Sequence, residues 1–297
     1  MKKHLAFFSL LRYNRIGLEA NMRNWLQNQY VILTGASSGI GKELCLLLIR
    51  KYGANVIGVG RNEEKMQRLV QELGDDASHF SYQLFDVSRK ENWTNFRSYL
   101  ETQEISPVLL INNAGAFPSF DKCLNIETDV DERIMQNNFF SVVYACKTLA
   151  PILKNSGKRI PALVNIASSA ALCTVSGTAA YSASKSAVKA FSETLQMEEQ
   201  GRLYVGVVYP GTTATALFDG DENTKNSALD KVAMPAKKMA KKIAKRIYKR
   251  KKRSVVGWDA KLMCIVAKVA PVKGLALIRW IMKTSKSKVF TNVFDYE

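Results

Sequence analysis

Histidine is nearly absent from this chain. His4 and His79 are the only two in 297 residues, and neither lies in a cluster of metal-ligand type. A histidine-based zinc site and a Ser-His-Asp triad are thereby excluded, and no metal site is expected. The five cysteines (Cys45, Cys123, Cys146, Cys173 and Cys264) show no paired spacing. They read as neutral thiols in a reducing compartment, which predicts a cytoplasmic protein. No apolar run is long enough to span a bilayer. Residues 1–11 are basic and then briefly apolar, with no small-residue cleavage site after them, and Met22 offers an alternative start just ahead of the first strand. The apolar stretch 258–282 is broken by Lys261, Lys268, Pro271, Lys273, Gly274 and Arg279.

Negative charge is scarce in one region only. Residues 236–297 hold 18 Lys and Arg against Asp259, Asp295 and Glu297, so nearly all of the net charge of +17 belongs to this tail. A basic face beside interfacial helices suits peripheral contact with an anionic membrane. A solvated basic helix packed on the domain or on a partner subunit is the competing reading. No reading motif accompanies the charge, so nucleic acid is not the expected partner.

What is present is an alternation of strands and helices. Apolar runs at Tyr30–Thr34, 55–59, 81–85, 107–112, Ala162–Ile166, 204–209 and 254–257 read as strands. Amphipathic stretches at 42–51, Glu63–Leu73, 91–103, 130–153, 179–199 and 236–249 read as helices, the last with Met239, Ile243 and Ile247 on one stripe. Such alternation implies right-handed βαβ units and a parallel sheet. Residues 212–234 are polar and weakly periodic, and read as an insertion.

The first strand ends in Thr34-Gly35-Ala36-Ser37-Ser38-Gly39-Ile40-Gly41 and a helix follows. Glycines let the backbone approach a pyrophosphate, and the helix N-terminus offers free N–H groups. The second strand ends Val59-Gly60-Arg61-Asn62, with no carboxylate before Glu63 to hold a ribose 2′-hydroxyl. Arg61 could instead meet a 2′-phosphate, which favours NADP(H) over NAD(H).

Together, Thr34–Gly41, Asp86-Val87, Asn112-Asn113-Ala114-Gly115, Asn138, Ser168, Tyr181-Ser182-Ala183-Ser184-Lys185 and Pro210-Gly211-Thr212-Thr213-Ala214-Thr215 resemble the short-chain dehydrogenase/reductase family, in its order and spacing, over roughly residues 28–257. The resemblance implies an α/β, Rossmann-like, doubly wound seven-stranded parallel sheet flanked by helices. The domain plan is then an N-terminal extension (1–27), a nucleotide-binding catalytic domain (28–257) and a basic helical C-terminal extension (258–297). It implies that Gly35, Ser37, Ser38, Gly39, Ile40, Gly41 and Arg61 hold the cofactor. Asp86 and Val87 would lie along the adenine, and Asn113, Ala114 and Gly115 would border the cofactor. Pro210, Gly211, Thr213 and Thr215 would cover the nicotinamide side.

Asn138 would hold a relay water, with Asn137 its rival, and Ser168 would polarise the carbonyl, with Ser169 its rival. Tyr181 would be the general acid and base. Lys185, one helical turn on, would bond the nicotinamide ribose, and its ammonium is expected to favour the phenolate.

The implied reaction is NADP(H)-linked interconversion of a ketone and a secondary alcohol. Phe117, Pro118, Leu217 and Phe218 point to an apolar substrate: a steroid, a long-chain lipid or a 3-oxoacyl group. The helices over 130–153 and 179–199 match those that build homodimers and homotetramers in relatives. The competing functions are an epimerase or dehydratase of the same family, and a non-catalytic nucleotide-binding or membrane-scaffold protein.

Overall fold

The computed structural model describes residues 25–157, 160–215, 233–285 and 287–294. Leu217, Phe218 and nearly all of the 1–27 extension lie outside the described residues.

Seven parallel strands form one sheet in the order β3-β2-β1-β4-β5-β6-β9. They are β1 (Tyr30–Thr34), β2 (Asn55–Gly60), β3 (Phe80–Leu84), β4 (Leu109–Asn112), β5 (Ala162–Ile166), β6 (Tyr204–Pro210) and β9 (Arg253–Val256). Both faces of the sheet are covered, so the central strands are buried throughout rather than alternating: β4 and β5 are buried at every residue. The expected doubly wound fold is the one present.

On one face pack α1 (Gly39–Tyr52), α2 (Glu63–Leu73) and α7 (Ala236–Tyr248). On the other pack α3 (Lys90–Thr102), α5 (Ser141–Lys154) and α6 (Ala179–Glu198). Helix α7 buries Met239, Ala240, Ile243, Ala244 and Ile247, so the basic helix is a core element with its charge turned outward. Trp25 and Leu26, within the segment read as an extension, are also buried, and the Trp25 indole donates to the Tyr248 carbonyl at 3.0 Å.

One expected helix is not a single α-helix. Residues 130–153 divide into α4 (Thr128–Met135), a π turn at Gln136–Phe140 and α5. A π turn takes in an extra residue, and such turns recur at functional sites. Here it turns Asn138 inward, to complete burial.

Between β6 and β9 the short strands β7 (Thr213–Ala214) and β8 (Met234–Pro235) pair with each other. After β9 come α8 (Trp258–Val269) and α9 (Pro271–Thr284), a helical hairpin. The sheet reverses its order of winding between β1 and β4. In such sheets the crevice at the C-terminal ends of the strands at that reversal is the ligand site.

Candidate active site

A cavity of about 470 Å³ opens at this crevice. Its floor is the turn after β1. Gly35 and Gly39 have φ of +66° and +50°, a conformation that strongly favours glycine. A side chain at Gly41 would overlap the Gly35 carbonyl, so the helix starts tight against the turn. Ser38, at the N-cap of α1, makes no side-chain cap bond. The first N–H groups of a 14-residue helix therefore face the cavity without competition from that hydroxyl.

The turn is stitched to the end of β4 by a residue that sequence reading left without a role. The Thr34 hydroxyl accepts from the backbone N–H of Asn113 and of Ala114, each at 2.9 Å. Asn113 returns its side-chain amide to the Thr34 carbonyl at 3.0 Å.

Gly35, Ser38, Gly39, Ile40, Asn113, Ala114, Gly115, Ser168, Tyr181, Lys185, Pro210, Gly211, Thr213 and Thr215 all line this one cavity. Ser37, Gly41, Arg61, Asp86, Val87 and Asn138 are not among the residues that line it. The Arg61 guanidinium lies 3.9 Å from the Asp86 carboxylate. Burial pushes the Asp86 carboxyl up, but hydrogen bonds from Ser88 and the charges of Arg61 and Arg89 outweigh it and leave the group below its ordinary value. Val87 uses its carbonyl to accept from the Trp93 indole at 2.9 Å.

Asn138 sits behind Gly115. Its side-chain oxygen accepts from Ala116 N–H at 2.7 Å, and its amide donates to the Ala116 carbonyl at 2.9 Å and to the Ser184 hydroxyl at 3.2 Å. Asn137 instead donates back along its own helix to the Arg133 carbonyl at 2.8 Å. Of the two serines, Ser168 is the one whose side chain acts on the Tyr181 phenol, favouring its ionised form.

Helix α6 carries Tyr181 and Lys185 on one face, with the ammonium 5.8 Å from the phenol ring centre. Lys185 is buried and donates to the Ile166 carbonyl at 3.3 Å. Burial pulls its amine down to about 8. Burial also pushes the Tyr181 phenol above its ordinary value, and the Ser168 hydrogen bond offsets this only in part. The expected lowering of Tyr181 by Lys185 is not among the effects that act on the phenol in the chain by itself, where desolvation dominates.

The nucleotide side of the cavity fits a dinucleotide on three observations. Positive-φ glycines bring bare backbone to the surface, the helix N-terminus is free, and Gly115 leaves open the space beside Lys185. A side chain there would come 3.2 Å from the Lys185 amine. The other side is apolar. Phe117 packs edge-on against Tyr181, ring centres 5.2 Å apart. Phe120, Val175, Met263, Ile278, Met282 and Phe290 complete that wall. Four of these six come from α8, α9 and the segment after them, which sequence reading did not connect with the site. Asp259 and Lys65 also line the cavity and were missed.

The profile of the short chain dehydrogenase family matches residues 29–226, more than half of the chain. Curated relatives include 3-ketodihydrosphingosine reductase of Bos taurus, 29% identical over 74% of this chain and 67% of that protein. Another is dehydrogenase/reductase SDR family member 7B of Mus musculus, 31% identical over 76% of this chain and 71% of that protein. The chain thus spans about two thirds of the length of the curated relatives it matches. Among solved structures, a short chain dehydrogenase from Shigella flexneri complexed with NADP is similar, with a TM-score of 0.70, 25% identity, and coverage of 80% of this chain and 100% of that one.

Proposed function

The chain belongs to the short-chain dehydrogenase/reductase family, and from that premise we propose that it is an NADP(H)-dependent oxidoreductase interconverting a ketone and a secondary alcohol on an apolar substrate, with Tyr181 as general acid and base. One observation carries the reading. Ser168, Tyr181 and Lys185 converge on the same cavity as the glycine turn, with an apolar wall opposite.

The backbone of Gly35, Ser38, Gly39 and Ile40 would hold the pyrophosphate, with Asn113, Ala114, Gly115, Thr213 and Thr215 bordering the rest. Arg61 would meet a 2′-phosphate. The bound nicotinamide supplies or accepts the hydride. The chain's own task is then the proton and the developing negative charge on oxygen. A phenol raised above its ordinary value holds its proton at neutral pH, so Tyr181 starts as the acid and donates to the substrate oxygen. Ser168 aligns that oxygen beside the phenol. Lys185 keeps a cation near the phenolate once the proton has left. Asn138 anchors Ala116, and with it the loop that carries Gly115.

Support for an apolar substrate comes from Phe117, Phe120, Met263, Met282 and Phe290 on the wall, and from the 3-ketodihydrosphingosine in the name of the bovine relative. The same reading includes a homodimer or homotetramer in the cytoplasm, with peripheral membrane contact through the C-terminal region.

The test follows NADPH and NADH absorbance with long-chain 3-ketones, ketosteroids and 3-oxoacyl esters. We expect NADPH-linked reduction of at least one, abolished in Tyr181→Phe while nucleotide binding survives. Turnover retained in that variant would remove Tyr181 from the chemistry.

A further inference from the structure

The hairpin of α8 and α9 has two unlike faces. Its inner face closes the cavity through Met263, Ile278 and Met282. Its outer face is open among the described residues. On α8, Trp258, Leu262, Ile265 and Val269 recur at i, i+4, i+7 and i+11, a single helical stripe, and all four are exposed. The tip reads Lys268-Val269-Ala270-Pro271-Val272-Lys273, with Val269 and Val272 79% and 80% exposed. Helix α9 adds exposed Leu277, Trp280 and Ile281. Scattered exposed apolar residues are ordinary, but a stripe that runs into an apolar tip marks an interaction surface.

Charge decides what that surface meets. From residue 260 to residue 294 there are seven Lys and Arg and no Asp or Glu. Asp259, just before, is committed to the Thr212 N–H. A second copy docking through this face about a two-fold axis would set lysines against their own images with no carboxylate between. An anionic lipid surface supplies the missing counter-charge and also accepts the apolar stripe. The helices have 12 and 14 residues, and no helix among the described residues is long and apolar enough to cross a membrane. They suit lying in the interface, where tryptophan side chains settle and lysine stems extend to the headgroups.

We propose that the outer face of the α8–α9 hairpin, led by Val269 and Val272, docks on an anionic lipid bilayer. This locates the membrane contact on the hairpin rather than on the basic helix α7, whose apolar stripe is spent on the core. Docking there turns the cavity's α9 wall toward the lipid. A second hollow, between residues 174–186 and α9, shares Val175 and Ile278 with the cavity and offers an entry path. The docking rests on the membrane contact included in the proposed function and names its surface; the entry path rests on the catalytic part of that function.

The test is sedimentation of the full chain with phosphatidylcholine vesicles, with and without about 30% phosphatidylserine, at low and at physiological salt. Binding should require phosphatidylserine and weaken with salt. It should fall about ten-fold or more both in Val269→Asp/Val272→Asp and in Lys268→Glu/Lys273→Glu. These residues are exposed and lie outside the cavity, so folding and turnover of a water-soluble ketone should be unchanged. Equal binding by the wild type and the double-Asp chain overturns the proposal. So does a wild type that ignores vesicles but forms a dimer which the double-Asp substitution separates, since the occupant is then a second copy. Sedimentation needs no turnover. A chain that docks yet reduces no ketone sinks the catalytic reading and supports this one.

Discussion

The carboxylate of Asp259, in the first turn of α8, accepts a hydrogen bond from the backbone N–H of Thr212 at 2.6 Å. Gly211 and Gly257 make room for it, because a side chain at either would overlap that carboxylate. The C-terminal hairpin is thereby tied to the loop after β6, which lines the cavity through Gly211, Thr213 and Thr215.

Asp259→Ala should release that loop. A lost hydrogen bond to a charged group is worth about 1.5–3 kcal/mol. The expected signature is a raised KM for the nucleotide with a smaller change in kcat, partly restored in Asp259→Asn, whose amide oxygen can still accept. A nucleotide KM within about two-fold of wild type in the Ala variant would show that Asp259 does not hold the loop.

How far sequence alone reached follows from which features are local. The Gly35-to-Gly41 turn, the strand and helix periods, and the one-turn spacing of Tyr181 and Lys185 are local patterns, and each is where reading placed it. Features that depend on distant neighbours were invisible. The π turn at Gln136–Phe140 shifts the helical period by one residue inside an otherwise regular amphipathic stretch. Asn112, Asn165 and Ser192 form a buried chain of hydrogen bonds at 2.8 and 2.9 Å that joins two strands to α6. No spacing rule links residues so far apart. Asp259 meets Thr212 across 47 positions. The Tyr181 phenol moved opposite to the helical-spacing argument because desolvation depends on every surrounding atom, not on one neighbour at i+4.

Lys185 gives stability a pH dependence of known sign. Burial lowers its amine from 10.5 to about 8, so between those values the unfolded chain holds more protons than the folded one. The contribution of Lys185 to the stability of the nucleotide-free protein should therefore rise as pH climbs above about 8. Above 10 the raised Tyr181 phenol opposes this, because the folded state then keeps a proton that the unfolded state loses. Burial also raises the thiols of Cys45, Cys146 and Cys173 above their ordinary value of 9.0, which opposes the lysine in the same window, so the lysine is read from the difference in urea midpoints between wild type and Lys185→Met from pH 8 to 10. Lys185→Met should remove that rising contribution, so that its stability falls relative to wild type between pH 8 and 10, and should stabilise the protein at pH 7 by up to roughly 3 kcal/mol, while turnover is lost. Equal slopes in the two proteins would show that the amine is not desolvated.

Arg61 should set nucleotide choice. Its side chain is 69% exposed and its guanidinium 3.9 Å from the Asp86 carboxylate, so it is free to turn toward a phosphate. Arg61→Ala should raise the KM for NADPH about ten-fold or more and leave that for NADH within about two-fold. Lys65→Ala should act in the same direction, since Lys65, in the first turn of α2, lines the cavity. Equal losses with both nucleotides would remove the 2′-phosphate from the account.

Asn138 separates anchoring from mere proximity. Its side chain satisfies both the N–H and the carbonyl of Ala116, and the Ser184 hydroxyl besides. Asn138→Ala leaves those backbone groups without partners in a partly buried place, at about 1–3 kcal/mol. In a domain of this size that lowers Tm by roughly 3–10 °C. Ala116 follows Gly115, whose open face adjoins the Lys185 amine. A loosened Ala116 should therefore lower kcat as well as stability. Asn137→Ala is the control, because Asn137 only reaches back to the Arg133 carbonyl on its own helix. It should move neither Tm nor kcat appreciably. Comparable damage from both substitutions would mean that the π turn does not single out Asn138, and the anchoring role would then fall to the turn's backbone rather than to that side chain.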